Sequence, residues 1–215
     1  MDPPPRLIDK EGKLYTLDGG NGTSVYGEAV ISIGEALYRE WVPWRSKLSS
    51  LIRRTNMSFP HDADVLYLGA AQGTTVSHIS DLLETGTIFA LEFSETAFRK
   101  LSSLAGERRN IVPILEDAFH PERFRAMVPP VDVLYQDVSQ KEQLKLFLMN
   151  SRVFLRKGGT GILMLKSRSV DVTARPEDVY RIVSDGLMDA GLAVKQIVEL
   201  DPFQVDHAAF VVLKE

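Results

Sequence analysis

The chain has no cysteine at all. That excludes disulfide staples, thiolate metal sites and cysteine nucleophiles, and it accords with a reducing compartment. Histidine is scarce too: His61, His78, His120 and His207 show no ligand spacing with one another, so no metal is expected. A basic excess is also missing, because 25 Lys and Arg against 29 Asp and Glu leave a net charge of -4. Proteins that coat nucleic acid indiscriminately carry the opposite balance. No apolar run approaches membrane-spanning length, and Met1-Asp2-Pro3-Pro4-Pro5 shows neither a basic nor an apolar signal region. The expectation is a soluble intracellular protein with no membrane partner.

What is present points to one sizeable α/β domain, since 215 residues with 44% apolar content can build a core without staples. The stretch from Asp64 to Thr75 organises it. Val65, Leu66 and Leu68 suit a buried parallel strand, Gly69 and Gly73 permit a tight turn, and Val76, Ile79 and Leu83 share one face of the helix that follows. Strand, glycine turn and amphipathic helix form the ligand-binding corner of a doubly wound sheet. Ala71 stands where a dinucleotide fingerprint needs its central glycine, and Gly73-Thr74-Thr75 replaces the Gly-Lys-Ser/Thr of a phosphate loop. Glu92, closing the next strand, offers a carboxylate for two ribose hydroxyls, an arrangement used by S-adenosylmethionine enzymes. On pattern alone, a plain structural turn is an equal alternative.

Along the chain, residues 6–27 alternate short apolar stretches with turn formers, which predicts a small β region over 1–28 with strands at 6–8, 13–16 and 24–26. Leu37, Trp41, Trp44, Leu48 and Leu51 recur at three or four residues, which predicts two helical pieces joined at Val42-Pro43 at the head of a second unit, 29–215. Arg39, Arg45, Lys47, Arg53 and Arg54 form a candidate basic patch, with a solvated helix face as the alternative. From Asp64 five strand–helix steps follow. The last two extended stretches, separated by seven residues, must pair antiparallel because a parallel pair needs a longer crossover.

Trp44-Arg45-Ser46-Lys47-Leu48, Leu66-Tyr67-Leu68-Gly69-Ala70-Ala71, Gly73-Thr74-Thr75-Val76-Ser77-His78, Glu92-Phe93-Ser94, Glu116-Asp117-Ala118, Asp137-Val138 and Asp206-His207-Ala208 together make the chain from Tyr26 onward resemble the fibrillarin family. It is similar to the archaeal form in lacking a Gly/Arg-rich extension, which implies a cytoplasmic protein. Gln72, Gln136 and Asp201-Pro202-Phe203 depart from the family's usual residues.

The resemblance implies the Class I S-adenosylmethionine-dependent methyltransferase fold, Rossmann-like, with a seven-stranded mostly parallel sheet ending in an antiparallel hairpin. It implies S-adenosyl-L-methionine as cofactor, contacted by Gly69, Thr74, Thr75, Glu92, Phe93, Asp117, Ala118, Asp137, Val138, Ser139 and Gln140. Lys47, Asp137, Lys166 and His207 are expected to surround the target hydroxyl, with Asp137 orienting Lys166 and the general base left open. Arg45, Lys47 and Arg168 are the expected RNA contacts. The implied reaction is 2'-O-methylation of ribose in rRNA and tRNA, directed by box C/D guide RNA, with a Nop-type scaffold and a kink-turn-binding protein of the ribosomal type as partners. A small-molecule O-methyltransferase would instead have a closed apolar pocket, and a non-catalytic assembly subunit would not need Asp137, Lys166 and His207.

Overall fold

Four short antiparallel strands form a sheet of their own before the main fold begins: β1 (Leu7–Lys10), β2 (Lys13–Leu17), β3 (Val30–Ile33) and β4 (Ala36–Glu40), in the order β1-β2-β4-β3. The computed structural model describes residues 3–215, so Met1 and Asp2 of the expected 1–28 region lie outside them. Two expectations are corrected here. Residues 24–26 are loop, and the helix expected from residue 29 to Val42 is the β3–β4 hairpin, which carries the β region past residue 28 to Glu40. Tyr38 and the wholly buried Arg39 both lie inside, so the alternation that marks a strand is broken, and the accidental four-residue spacing of Leu37 and Trp41 imitates a helix. A 3-10 turn at Pro43–Arg45 then leads into α1 (Lys47–Thr55), the second expected helical piece.

The main sheet follows the expected alternation. Its strands are β5 (Val65–Leu68), β6 (Ile88–Glu92), β7 (Ile111–Leu115), β8 (Val131–Gln136), β9 (Leu155–Lys166), β10 (Leu192–Glu199) and β11 (His207–Lys214), in the order β10-β11-β9-β8-β5-β6-β7. β5 to β9 are mutually parallel, while β11 runs antiparallel to both β9 and β10. The helices α2 (Thr74–Leu82), α3 (Glu95–Glu107), α4 (Pro121–Phe124), α5 (Gln143–Phe154), α6 (Ser167–Val170) and α7 (Pro176–Asp189) fill the connections.

Alternation along β5 divides the core. Val65 and Tyr67 pack with α1, α2, α3 and the N-terminal sheet, while Leu66 and Leu68 pack with α4, α5 and α7. The strand order reverses at β5, where β6 and β8 flank it on opposite sides, and the crevice beyond the carboxyl ends of these three strands is where such sheets receive ligands.

Candidate active site

Gly69 leaves β5 at φ 82°, and a Cβ there would stand 2.5 Å from the Asp137 carbonyl oxygen and against Val138. The turn after β5 and the end of β8 can approach this closely only because residue 69 has no side chain. Beside them opens a cleft of about 370 Å3, whose lining includes Gly69, Glu92, Phe93, Asp117, Ala118 and Asp137, and continues through Val138, Ser139 and Gln140. Nine of the expected cofactor residues therefore share one cavity. Ala71, Leu91, Glu116, Phe119 and Leu146 complete it; apolar Leu91 and Leu146 carry no sequence signal that separates them from ordinary core.

Glu92 is held for a task. One carboxylate oxygen accepts from the Ala71 N–H and the other from the Ser94 N–H, both at 2.7 Å, so the group is fixed while each oxygen keeps a free lone pair. A diol is the natural partner for that pair of acceptors. Phe93, directly after it, is 73% exposed and presents a ring face that the core does not use. Asp117 accepts from the Phe119 N–H through one oxygen and leaves the other for a donor such as an exocyclic amine. The donor set, the free aromatic face and the cavity size fit an adenosine-bearing cofactor. The unpaired N–H groups in the first turn of α2 would favour the carboxylate of such a cofactor's amino-acid end. Thr74 and Thr75 open that helix, outside the cleft lining: Thr75 is buried with its hydroxyl donated to Ser46 Oγ at 2.9 Å, and Thr74 borders a neighbouring hollow with Arg45 and Tyr26.

At the mouth of the cleft the expected quartet comes together, with one change of partner. Lys47 Nζ donates to Asp137 Oδ1 at 2.7 Å, both side chains about one-sixth exposed, so Asp137 orients Lys47 rather than Lys166. The rigid start of α1 delivers Lys47 to that carboxylate. Asp137 is also not a helix-start charge, since α5 begins only at Gln143. Lys166 ends β9 directly opposite His207, the first residue of β11. The buried Gln143 grips the Lys166 backbone twice, its Nε2 donating to the Lys166 carbonyl at 3.1 Å and its Oε1 accepting from the Lys166 N–H at 2.9 Å. Gln136, buried and adjacent to Asp137, donates in turn to the Gln143 carbonyl. Gln136 stands out in the sequence only as a departure from the family's usual residue, and Gln143 not at all, because an amide in a helix or strand has no spacing that reveals its partner.

His207 Nδ1 lies 2.7 Å from the Val205 carbonyl and must donate to it, which leaves Nε2 as the lone-pair nitrogen of the neutral ring. Burial holds its pKa below the ordinary histidine value, with the Lys47 and Lys166 charges adding to that effect, while the Val205 hydrogen bond and Asp137 oppose it. The ring is therefore neutral at pH 7. Such a group can accept a proton without first losing one.

The expected basic patch is only partly a surface. Arg39 is wholly enclosed, donating to Glu28, Asp81 and Ser77, which removes it from any contact with RNA. Arg45 is exposed and lies over the Tyr26 ring at 5.4 Å, and Arg168 is exposed 3.5 Å from Asp206. Among the described residues there is no cluster of His, Asp and Glu fit to hold a metal, and no helix long and apolar enough to cross a membrane.

A family model described as Fibrillarin matches residues 6–215. The fibrillarin-like rRNA/tRNA 2'-O-methyltransferase of Thermococcus gammatolerans is 46% identical over 213 residues, covering 97% of this chain and 94% of that protein. The solved structure of Aeropyrum pernix fibrillarin with natively bound S-adenosyl-L-methionine superposes with a TM-score of 0.87 at 40% identity, covering 96% of this chain and 93% of the other. A fibrillarin chain solved in complex with Nop5p superposes with a TM-score of 0.90 at 39% identity, covering 98% of each chain.

Proposed function

This chain belongs to the fibrillarin family, and on that premise we propose that it methylates ribose 2'-hydroxyls of rRNA and tRNA in the cytoplasm, under the direction of box C/D guide RNA. It is an S-adenosylmethionine-dependent 2'-O-methyltransferase. The Nop-type partner follows from the fibrillarin–Nop5p relative, and a kink-turn-binding protein would complete the assembly. The observation that carries the reading is the Lys47–Asp137 ion pair beside the Lys166–His207 strand pair at the open end of the cofactor cleft.

Glu92 would hold the cofactor's ribose, Phe93 its adenine, Asp117 and Ala118 would border the base, and Thr74 and Thr75 would face its amino-acid end; bound there, it would supply a methyl group already activated on a sulfonium. The chain's remaining task is to align a weak nucleophile and take its proton. Lys47, fixed by Asp137, and Lys166, fixed through its backbone by Gln143, present ammonium donors to the ribose oxygen. Lys47 is committed to its carboxylate, so the proton leaves toward the Lys166–His207 pair, where His207 Nε2 is already in its basic form. Alignment is the larger contribution, and proton transfer to a placed base adds about 10² to 10⁴ in rate. Val138, Ser139 and Gln140 wall the crevice on the Asp137 side.

Delegating target choice to a guide suits a chain of net charge -4, because base pairing reads sequence and the enzyme need read only backbone and 2'-OH. The test is transfer of labelled methyl from S-adenosylmethionine to a target RNA, with and without box C/D guide RNA and the two protein partners. Transfer at one ribose that moves with the guide is expected; equal transfer without guide would end the delegated reading. The isolated chain should bind RNA weakly and with a shallow salt dependence.

A further inference from the structure

We infer that Trp44 and Phe203 form a stacking shelf for a nucleobase of the target strand beside the methylated ribose. The inference rests on the reading of this site as an RNA methylation site. Two segments distant in sequence build the shelf. Trp44 lies in the turn that leads into Lys47, and Phe203 in the loop that leads into His207, so each arm of the shelf is continuous with one side of the reaction site. The rings meet edge to face with centroids 4.9 Å apart, and Gln204 Nε2 donates to the Pro43 carbonyl at 2.8 Å to pin the two segments together.

Trp44 is 63% exposed and nearby Val205 66% exposed, so apolar surface gathers at this point rather than being scattered singly. An indole braced by Phe203 and still 63% exposed keeps most of its surface open to a stacking partner. Its surroundings choose the partner. Arg45 and Lys47 stand on the first segment, Lys166 at the end of β9 and Arg168 on α6, against Asp137, Asp201 and Asp206, so the rim carries four cations to three carboxylates on a chain of net charge -4. Protein interfaces deplete charge around their aromatic anchors, whereas single-stranded nucleic acid sites interleave aromatic platforms with cations that track phosphates. The shelf has the second character.

The experiment uses the full guide-containing assembly with target RNAs carrying 2-aminopurine at the methylated nucleotide and at each neighbour. Wild type, Trp44→Ala, Trp44→Phe and Phe203→Ala are compared by fluorescence, by KM for target RNA and by single-turnover transfer at saturating RNA. A probe position quenched by wild type and Trp44→Phe but released by Trp44→Ala is expected. KM should rise about tenfold or more in Trp44→Ala, with cofactor affinity and melting temperature unchanged. Unchanged quenching and KM in Trp44→Ala, alongside normal transfer by wild type, would overturn the shelf alone. Loss of scaffold assembly with RNA quenching intact would give the patch to a protein partner and also overturn it. Absence of transfer by wild type would remove the reading beneath it.

Discussion

Two clusters in this molecule hold paired charges around a histidine with a lowered pKa, and only one of them is proposed to do chemistry. In the first, at the seam between the N-terminal sheet and α2, Arg39 binds Glu28 and Asp81, Arg108 binds Asp81 and Asp18, and His78 lies between Thr16 and Tyr26 with Trp41 stacked on its ring. Every one of these charges is enclosed, and burial together with the two arginines pushes the His78 pKa well down. In the second, Asp137 lines the cleft and Lys47, Lys166 and His207 gather behind it, partly exposed, with lone pairs and ammonium hydrogens still unclaimed. A perturbed titration is common to both, so it does not distinguish them. Unspent bonding capacity facing a cavity does.

The sharpest way to test that contrast is to remove one cation from each. Lys166→Ala should reduce methyl transfer about 10²- to 10⁴-fold while cofactor affinity and melting temperature stay near wild type, read by single-turnover rates on a preassembled guide–target complex. Because Asp137 is paired with Lys47, the Lys47→Ala, Asp137→Ala double variant should be scarcely slower than Lys47→Ala alone. Arg39→Met should do the reverse. Glu28 and Asp81 would lose their shared partner in a closed interior, at a cost of about 3–5 kcal/mol in denaturant unfolding, with transfer preserved at temperatures where the variant is folded. A catalytic loss from Arg39→Met without destabilisation would erase the distinction between the clusters.

Glu92→Ala is expected to weaken S-adenosylmethionine by about 1.5–3 kcal/mol in calorimetric titration, the size of a hydrogen bond to a charged group. The fold should be unaffected, since the carboxylate's protein partners are two loop amides near the surface.

The smallest effect is that of pH. Both histidines have folded pKa values below the ordinary 6.5. Each takes up a proton more readily when the chain is unfolded, so stability is fully present above about pH 6.5 and declines as pH falls below it. His78 should dominate melting curves in that window. His207 should dominate single-turnover transfer, whose acid limb lies below pH 6.5 and is altered in His207→Asn while the melting profile keeps its His78 component. Coincident pH profiles for the two measurements would assign both to one group.

The main sheet was legible from residue 64 onward because parallel strands buried on both faces read as short apolar runs, as in Val65 to Leu68 and Ile88 to Leu91. The N-terminal hairpin was not, because the inward Arg39 breaks the strand alternation of β4 and the four-residue spacing of Leu37 and Trp41 imitates a helix. Within the site, Glu92, Asp137 and Lys166 announce themselves at strand ends, where a polar residue follows an apolar run, while His207, which opens its strand, is marked only by the Asp206-His207-Ala208 block. Their pairing has no such mark. That Asp137 takes Lys47 and not Lys166 depends on where α1 docks, and that Lys166 is anchored by Gln143 depends on a helix packing beside β9; both are facts of tertiary approach.

The seven residues from Leu200 to Asp206 that separate β10 from β11 act as a spacer of fixed gauge. They set His207 opposite Lys166 and Ala208 opposite Leu165. Side chains alternate faces along a strand, so a slip of a single residue would seat Ala208 against Lys166 and swing the imidazole to the other side of the sheet. Surface connections ordinarily absorb insertions and deletions freely. Here the length of a loop sets the facing of a side chain: a slip would turn the buried apolar residues of β11 to the wrong faces along with His207, the proposed proton acceptor.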